Sequence, residues 1–240
     1  MLELKNIVWK APDGKTVLDG LDLTIPTGKL VVITGPNGSG KTTLAKLIAG
    51  IDIPDKGQML FDGEDITSLD ITERAKKGIS YAFQQPVRFK GITVRQLIGI
   101  AAGHEIDEPG LCRILASVGL CARDYIDREV NATLSGGEIK RIEIATLIAR
   151  DTRLMVFDEP EAGIDLWSFK NLIGVFDKLH QRGDMTLVII SHQERILRIA
   201  DEIVLIADGR VKASGAPDEM MTHVFTSGSV KSNCLSGEEC

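Results

Sequence analysis

The chain has 240 residues, 43% of them hydrophobic and 26% charged, with a formal net charge of −6. That composition belongs to a globular protein large enough to bury a sizeable core. It excludes the broad positive field that a nucleic acid or an anionic membrane would attract, so no nucleic-acid partner is expected.

The opening segment MLELKNIVWK has no apolar centre of the signal-peptide kind, and no run approaches the ~18 apolar residues of a membrane span. A cytoplasmic location is expected. LELKNIVW and KTVLDGLDLTI read as strands joined by an APDG turn. LVVIT is a short apolar run that fits a strand buried on both faces, and it leads into ITGPNGSGKTT. Lys41 to Ala49 then reads as a helix stopped at Gly50. QMLFDGEDI is a further strand with an Asp-Gly turn, and ISYAF is a strand running into QQPVRFKG. From Thr93 to Arg150 the period becomes helical, in TVRQLIGIAA, GLCRILASVGL and GGEIKRIEIATLIARD. In the last of these, Ile139, Ile142, Ala145 and Ile148 share a face, with Lys140, Glu143 and Thr146 off it. Strand and helix alternate again through RLMVFDEP, a helix from Leu166 to Arg182, TLVIIS, RILRIA, EIVLIA and RVKAS, with Asp208-Gly209 as a hairpin turn. The expected fold class is α/β, with a core from 1–92 and 151–221, an inserted helical subdomain at 93–150 and a mobile polar tail at 222–240. The cysteines Cys112, Cys121, Cys234 and Cys240 form no C-x-x-C pair and read as ordinary thiols.

Gly35-Pro36-Asn37-Gly38-Ser39-Gly40-Lys41-Thr42, followed by Thr43, matches the phosphate-binding loop pattern G-x-x-x-x-G-K-[ST]. Its glycines let successive N–H groups converge on phosphates, and the helix opening at Lys41 adds its dipole. Lys41 offers a point charge to the β- and γ-phosphates, and the Thr42 hydroxyl a ligand for Mg²⁺. RLMVFDEP ends an apolar strand in two carboxylates. Asp158 fits the Mg²⁺-associated acid, and Glu159 the group that orients or deprotonates the attacking water. Ser135-Gly136-Gly137 opens a second glycine-rich helix, with Ser135 suited to the N-cap and the glycines to exposing N–H groups.

With LSGGE, a phosphate loop and a strand-end acid pair all present, the chain resembles the ABC-type ATPases. The resemblance covers about residues 2 to 217. It implies an α/β fold with a P-loop core, an N-terminal antiparallel β-subdomain and an inserted α-helical subdomain. It also implies hydrolysis of ATP with Mg²⁺ and an ATP-dependent homodimer, in which the serine and glycines of one copy close on the γ-phosphate held by the other. By the same resemblance Gln84 is the Q-loop glutamine, near Mg²⁺ and the γ-phosphate, with Gln85 as the neighbouring alternative. Asp165 in EAGID is the D-loop aspartate, and His192 in ISHQ is the switch histidine. Glu138 stands where the family usually has glutamine. The family's adenine-stacking aromatic would fall near Ala11, with Trp9 two residues earlier, so weak base stacking is expected. The stretches AFQQPVRFKGITV, LSGGEIKRIEI, EAGIDLWSF and SHQERIL look like SufC, the ATPase of the Suf iron–sulfur cluster assembly system. That implies a soluble SufB/SufD-like scaffold partner. The DEP at Asp158–Pro160 is the usual transporter form and implies, as the alternative, a nucleotide-binding subunit of a membrane transporter. The interval from Gln84 to Ser135 leaves no room for the long heptad insertion of an SMC-type repair ATPase.

Overall fold

The structure, a computed structural model, describes residues 1–84, 89–131, 133–150 and 152–227. In chain order it runs β1 (Leu2–Lys10), β2 (Thr16–Ile25), β3 (Leu30–Thr34), α1 (Lys41–Ala49), β4 (Lys56–Phe61), β5 (Glu64–Asp65), α2 (Ile71–Lys76) and β6 (Ile79–Ala82). The helices α3 (Val94–Ala102), α4 (Glu108–Ser117), α5 (Ala122–Tyr125) and α6 (Gly136–Ala149) follow. The chain then continues through β7 (Leu154–Asp158), α7 (Leu166–Arg182), β8 (Thr186–Ile190), α8 (Glu194–Leu197), β9 (Glu202–Ala207), β10 (Arg210–Gly215) and α9 (Pro217–Ser227).

Two sheets carry the fold. The first is antiparallel, in the order β2-β1-β4-β5, and the second runs β10-β9-β3-β8-β7-β6, parallel except for the edge strand β10. In β1 the buried residues are Leu2, Leu4 and then Ile7, which breaks a period of two. The register shifts between Leu4 and Ile7, and Asn6 has φ 51, so a bulge returns Ile7 to the buried side. The parallel strands are apolar throughout because both faces are covered. Val31 and Ile33 pack with the antiparallel sheet and α1, whereas Leu30 and Val32 pack with the cluster that contains α6 and α7. Each fully buried Val, Leu or Ile there stabilises the fold by roughly 1.5–3 kcal/mol. The turns at Asp62-Gly63 and Asp208-Gly209 both have positive φ at each residue, as two-residue hairpin turns require.

The helices at Lys41–Ala49 and Leu166–Arg182 end where the sequence places them, at Gly50 and Gly183 in the left-handed conformation. Several readings need correction. The strand from Ile79 ends at Ala82, so Phe83 is outside it. Lys140 and Glu143 are not on a solvated face: Lys140 is 2% exposed, and the pair lies under the chain that leaves β6. Helix α9 reaches Ser227, six residues into the segment read as tail, because Met220 in its first turn is buried in the core. The short helices α2, α5 and α8 carry too few residues to show a period. In α2, Arg74 is fully buried and donates to the carbonyls of Leu47 and Ile48, which satisfies the end of α1. Burial lowers its pKa to about 10. Gln85, Pro86, Val87, Arg88, Cys234 and Cys240 lie outside the described residues, and Cys112 and Cys121 are free, exposed thiols.

Candidate nucleotide site

The loop from Gly35 to Gly40 joins the end of β3 to the start of α1 at the carboxyl edge of the parallel sheet. A side chain at Gly35 is impossible, since a Cβ there would lie 1.9 Å from the carbonyl oxygen of Ile206 and φ is +146. Gly40 caps α1 at φ 100 with no side-chain hydrogen bond, so the first N–H groups of α1 face outward without an internal acceptor from a cap. Lys41 is 8% exposed, and its Nζ donates to the Gly35 and Pro36 carbonyls at 2.8 and 2.9 Å. Burial lowers the pKa of Lys41, against the opposing pull of Glu159 and Asp158. The Ser39 hydroxyl is buried in the loop with no hydrogen-bond partner.

Asp158 ends β7, with β8 between it and β3. It is 2% exposed, and its two oxygens accept from Thr42 Oγ1 at 3.2 Å and the Tyr81 hydroxyl at 3.1 Å. Burial raises its pKa, although both hydroxyls favour the carboxylate. Burial also pushes the Tyr81 hydroxyl well above the usual tyrosine range. Glu159 has φ 44, a strained conformation for a residue with a side chain, and its N–H is held by the Ile190 carbonyl at 3.0 Å. Its Oε2 accepts from Gln84 Nε2 at 2.7 Å. After β8, Ser191 Oγ donates to Glu161 Oε1 at 2.5 Å. Burial raises the Glu161 pKa, while Ser191 and the exposed His192 oppose the rise.

Ser135, Gly136, Gly137 and Asp165 form a second cluster. Ser135 Oγ accepts from the Glu138 N–H at 3.2 Å, and Glu138 Oε2 accepts from the Ser135 N–H at 2.7 Å, a closed capping box. Glu138 also accepts from the Tyr125 hydroxyl and lies 3.8 Å from Arg128. Gly137 is buried, and a Cβ there would come within 2.3 Å of Ser168 Cβ and Oγ. Asp165 caps α7, accepting from the N–H groups of Trp167 and Ser168 and from the Ser168 hydroxyl. Gly137 is therefore required by the packing of α6 on α7, and a Cβ at Gly136 would lie 2.9 Å from the Gly163 carbonyl oxygen, roles that their motif does not disclose.

The structure thus brings Lys41, Thr42, Asp158, Glu159 and Gln84 together. Trp9 is half-buried against the core under the antiparallel sheet, and Ala11 sits in a turn closed by the Ala11 N–H to Lys15 carbonyl bond. A cleft of about 440 Å³ beside Gly38 is lined by Lys15, Thr16, Val17, Asp19, Asp208 and Gly209, with no aromatic among these described residues. Tyr81 and the Lys140–Glu143 pair were missed from sequence. The signal for the pair was two opposite charges three positions apart in a helix that also carries Glu138 and Arg141.

A family model described as ABC transporter matches residues 18–162. An uncharacterised ABC transporter ATP-binding protein of Methanocaldococcus jannaschii is 41% identical over 214 residues, 86% of this chain and 85% of its own length. The sulfate/thiosulfate import ATP-binding protein CysA of a Synechocystis species is 35% identical over 223 residues, 91% of this chain and 61% of its own length. Among solved structures, an ATP-binding cassette of an ABC transporter in its ADP conformation is 28% identical with a TM-score of 0.81, covering 94% of each chain. A dimeric cassette in a post-hydrolysis state with ADP and Pi has the same fold, at 24% identity, a TM-score of 0.79, and coverage of 90% of this chain and 99% of its own. Both relatives are named for transport rather than for cluster assembly. No helix among the described residues is long and apolar enough to cross a membrane. The chain belongs to the ABC transporter family and is an ABC-type ATPase.

Proposed function

We propose that the chain is the nucleotide-binding subunit of an ABC membrane transporter, which closes with a second copy on ATP and opens after hydrolysis. The observation that carries the hydrolytic part is the convergence of Lys41, Thr42–Asp158 and Gln84–Glu159 on one edge of the sheet. The transporter part is supported by the names of the relatives at 41% and 35% identity.

The residues fit the ligands this reading needs. The unpartnered Ser39 hydroxyl and the outward N–H groups of the loop from Gly35 to Thr43 suit phosphate oxygens. Lys41 would exchange its two loop carbonyls for phosphate. Thr42 and Asp158 supply hard oxygen donors 3.2 Å apart, as Mg²⁺ prefers, and the ion would neutralise phosphate charge when bound. Glu159 would orient and deprotonate the attacking water, with Gln84 fixing its carboxylate and His192 donating toward the γ-phosphate. Ser135, Gly136 and Gly137, with Asp165 behind them, would meet the phosphate held by the second copy.

The Glu159→Gln variant is expected to bind MgATP with parental affinity and to lose about 10²- to 10⁴-fold in turnover, as loss of a general base does. Parental turnover would remove Glu159 from the role. A second reading, a SufC-like ATPase with a soluble SufB/SufD-like scaffold, is favoured by the SufC-like stretch Leu134–Ile144, in which Lys140 is buried and Glu143 partly so. Affinity purification from native extract separates the two. A polytopic membrane protein in the eluate supports the first reading, and a soluble cluster scaffold replaces it with the second.

A further inference from the structure

The Phe83 peptide is held on both sides by α6. Its N–H donates to Glu143 Oε1 at 3.1 Å, and its carbonyl accepts from Lys140 Nζ. Lys140 Nζ lies 3.0 Å from Glu143 Oε2, an ionic contact that leaves that oxygen without a directed hydrogen bond. Side-chain exposure is 2% for Lys140 and 15% for Glu143, so the charges depend on each other and on this one peptide. The next residue is Gln84, which reaches Glu159. The Phe83 ring meets Tyr81 edge-on with centroids 5.0 Å apart, and Tyr81 holds Asp158. The N-cap of α6 is Ser135, five positions before Lys140.

We propose that Lys140 and Glu143 are positioning residues for Gln84, clamping its backbone to the helix that Ser135 opens, so that the Q-loop and the signature segment move as one body. A buried ion pair is weak evidence of stability in itself, since apolar residues of similar volume replace such pairs with little loss. What apolar residues cannot do is hold the backbone of Phe83 by both its N–H and its carbonyl. The pair therefore fixes a direction: displacement of Ser135 along α6 displaces Gln84 relative to Glu159. The proposal rests on the reading that Glu159 and Gln84 serve hydrolysis.

The experiment uses the full chain with Lys140 and Glu143 both changed to methionine, alone and in a Gln84→Ala background, measuring Tm, ATP affinity and kcat. The expected result is a near-parental Tm and ATP affinity with kcat lowered about 10- to 100-fold, the range for a displaced reacting group. In the Gln84→Ala background the same two changes are expected to leave kcat almost unaltered, because coupled residues are not additive. An unchanged kcat in the double-methionine variant, or an equal fold-loss in both backgrounds, overturns the clamp. If the double variant does not fold, Lys140→Met alone gives the same comparison, since it removes the donor to the Phe83 carbonyl and leaves the charge on Glu143, whose side chain is 15% exposed. Failure of the hydrolytic reading is distinct: it shows as parental turnover in Glu159→Gln.

Discussion

Helices α1 and α6 both open on glycines, yet their first turns are built oppositely. Gly40 caps α1 in a left-handed conformation with no side-chain acceptor, and a Cβ there would meet Leu18 Cδ2 at 2.6 Å. The loop before it contains an unpartnered hydroxyl and a buried lysine turned back on two carbonyls. At α6, Ser135 and Glu138 close a reciprocal box, and Gly137 is filled by the proximity of Ser168. The first turn of α1 is left open for an external anion, whereas that of α6 is already satisfied from within apart from its glycine amides. The same residue types therefore mark a complete receptor in one place and half of one in the other. The second copy proposed above would suit that division, because the α1 turn carries the cation of Lys41, whereas the charge in the α6 turn, Glu138, is turned to Tyr125 and Arg128.

Substitutions can break or sharpen this contrast. The largest expected effect is that of Gly137→Ala. The new methyl meets Ser168 at 2.3 Å, and overpacking of this kind costs about 1–3 kcal/mol. Thermal melting is expected to show a lower Tm, restored by a second change of Ser168→Gly. A parental Tm in the single variant would mean that α6 and α7 are not in close contact, and the packing account of the signature glycines would fall.

A middle-sized effect of opposite sign is expected on the α1 side. Burial raises the Asp158 pKa from 3.8, so the folded chain holds that proton to higher pH than the unfolded chain does. Stability therefore falls as pH rises from 3.8 through the raised value, and at neutral pH the full penalty is present. Asp158→Asn removes the penalty and keeps one acceptor for Thr42 or Tyr81. The nucleotide-free variant is expected to melt above the parent at neutral pH and to lose that advantage in acid, while turnover is lost. A variant that melts lower at neutral pH would show that its hydroxyl partners outweigh the buried charge.

The smallest effect is expected at Glu138→Gln, which restores the residue usual in the family. Glutamine's single oxygen can still accept from the Ser135 N–H while its amide nitrogen donates to the rotated Tyr125 hydroxyl, so the 3.8 Å approach of a part-exposed Arg128 is the contact that is lost. Such a contact is worth less than about 1 kcal/mol. Melting and turnover close to parental values are expected; a collapse of turnover would show that the carboxylate charge itself serves the site.

Much of the site was legible because its parts are contiguous in the chain. Gly35 to Thr42 must be one segment to wrap a phosphate, and Asp158-Glu159 must follow a strand directly to sit at its end. Helices with glycine stops, such as α1 and α7, were legible for the same reason: their signals lie within a few residues. Arg74 beneath α1, Tyr81 on Asp158 and Lys140–Glu143 around Phe83 were not legible, since each joins residues at least 26 positions apart in sequence.

By itself the sequence determined the local chemistry: which turn exposes N–H groups, which strand is covered on both faces, and where carboxylates end an apolar run. The tertiary structure alone decided which charges are solvated. On a helical wheel Lys140 and Glu143 look like surface residues, because periodicity counts faces and cannot know that α6 is covered nearly all round. The approach of the Phe83 backbone, 57 and 60 positions earlier, gives those charges a hydrogen-bond acceptor and donor that no periodicity reveals.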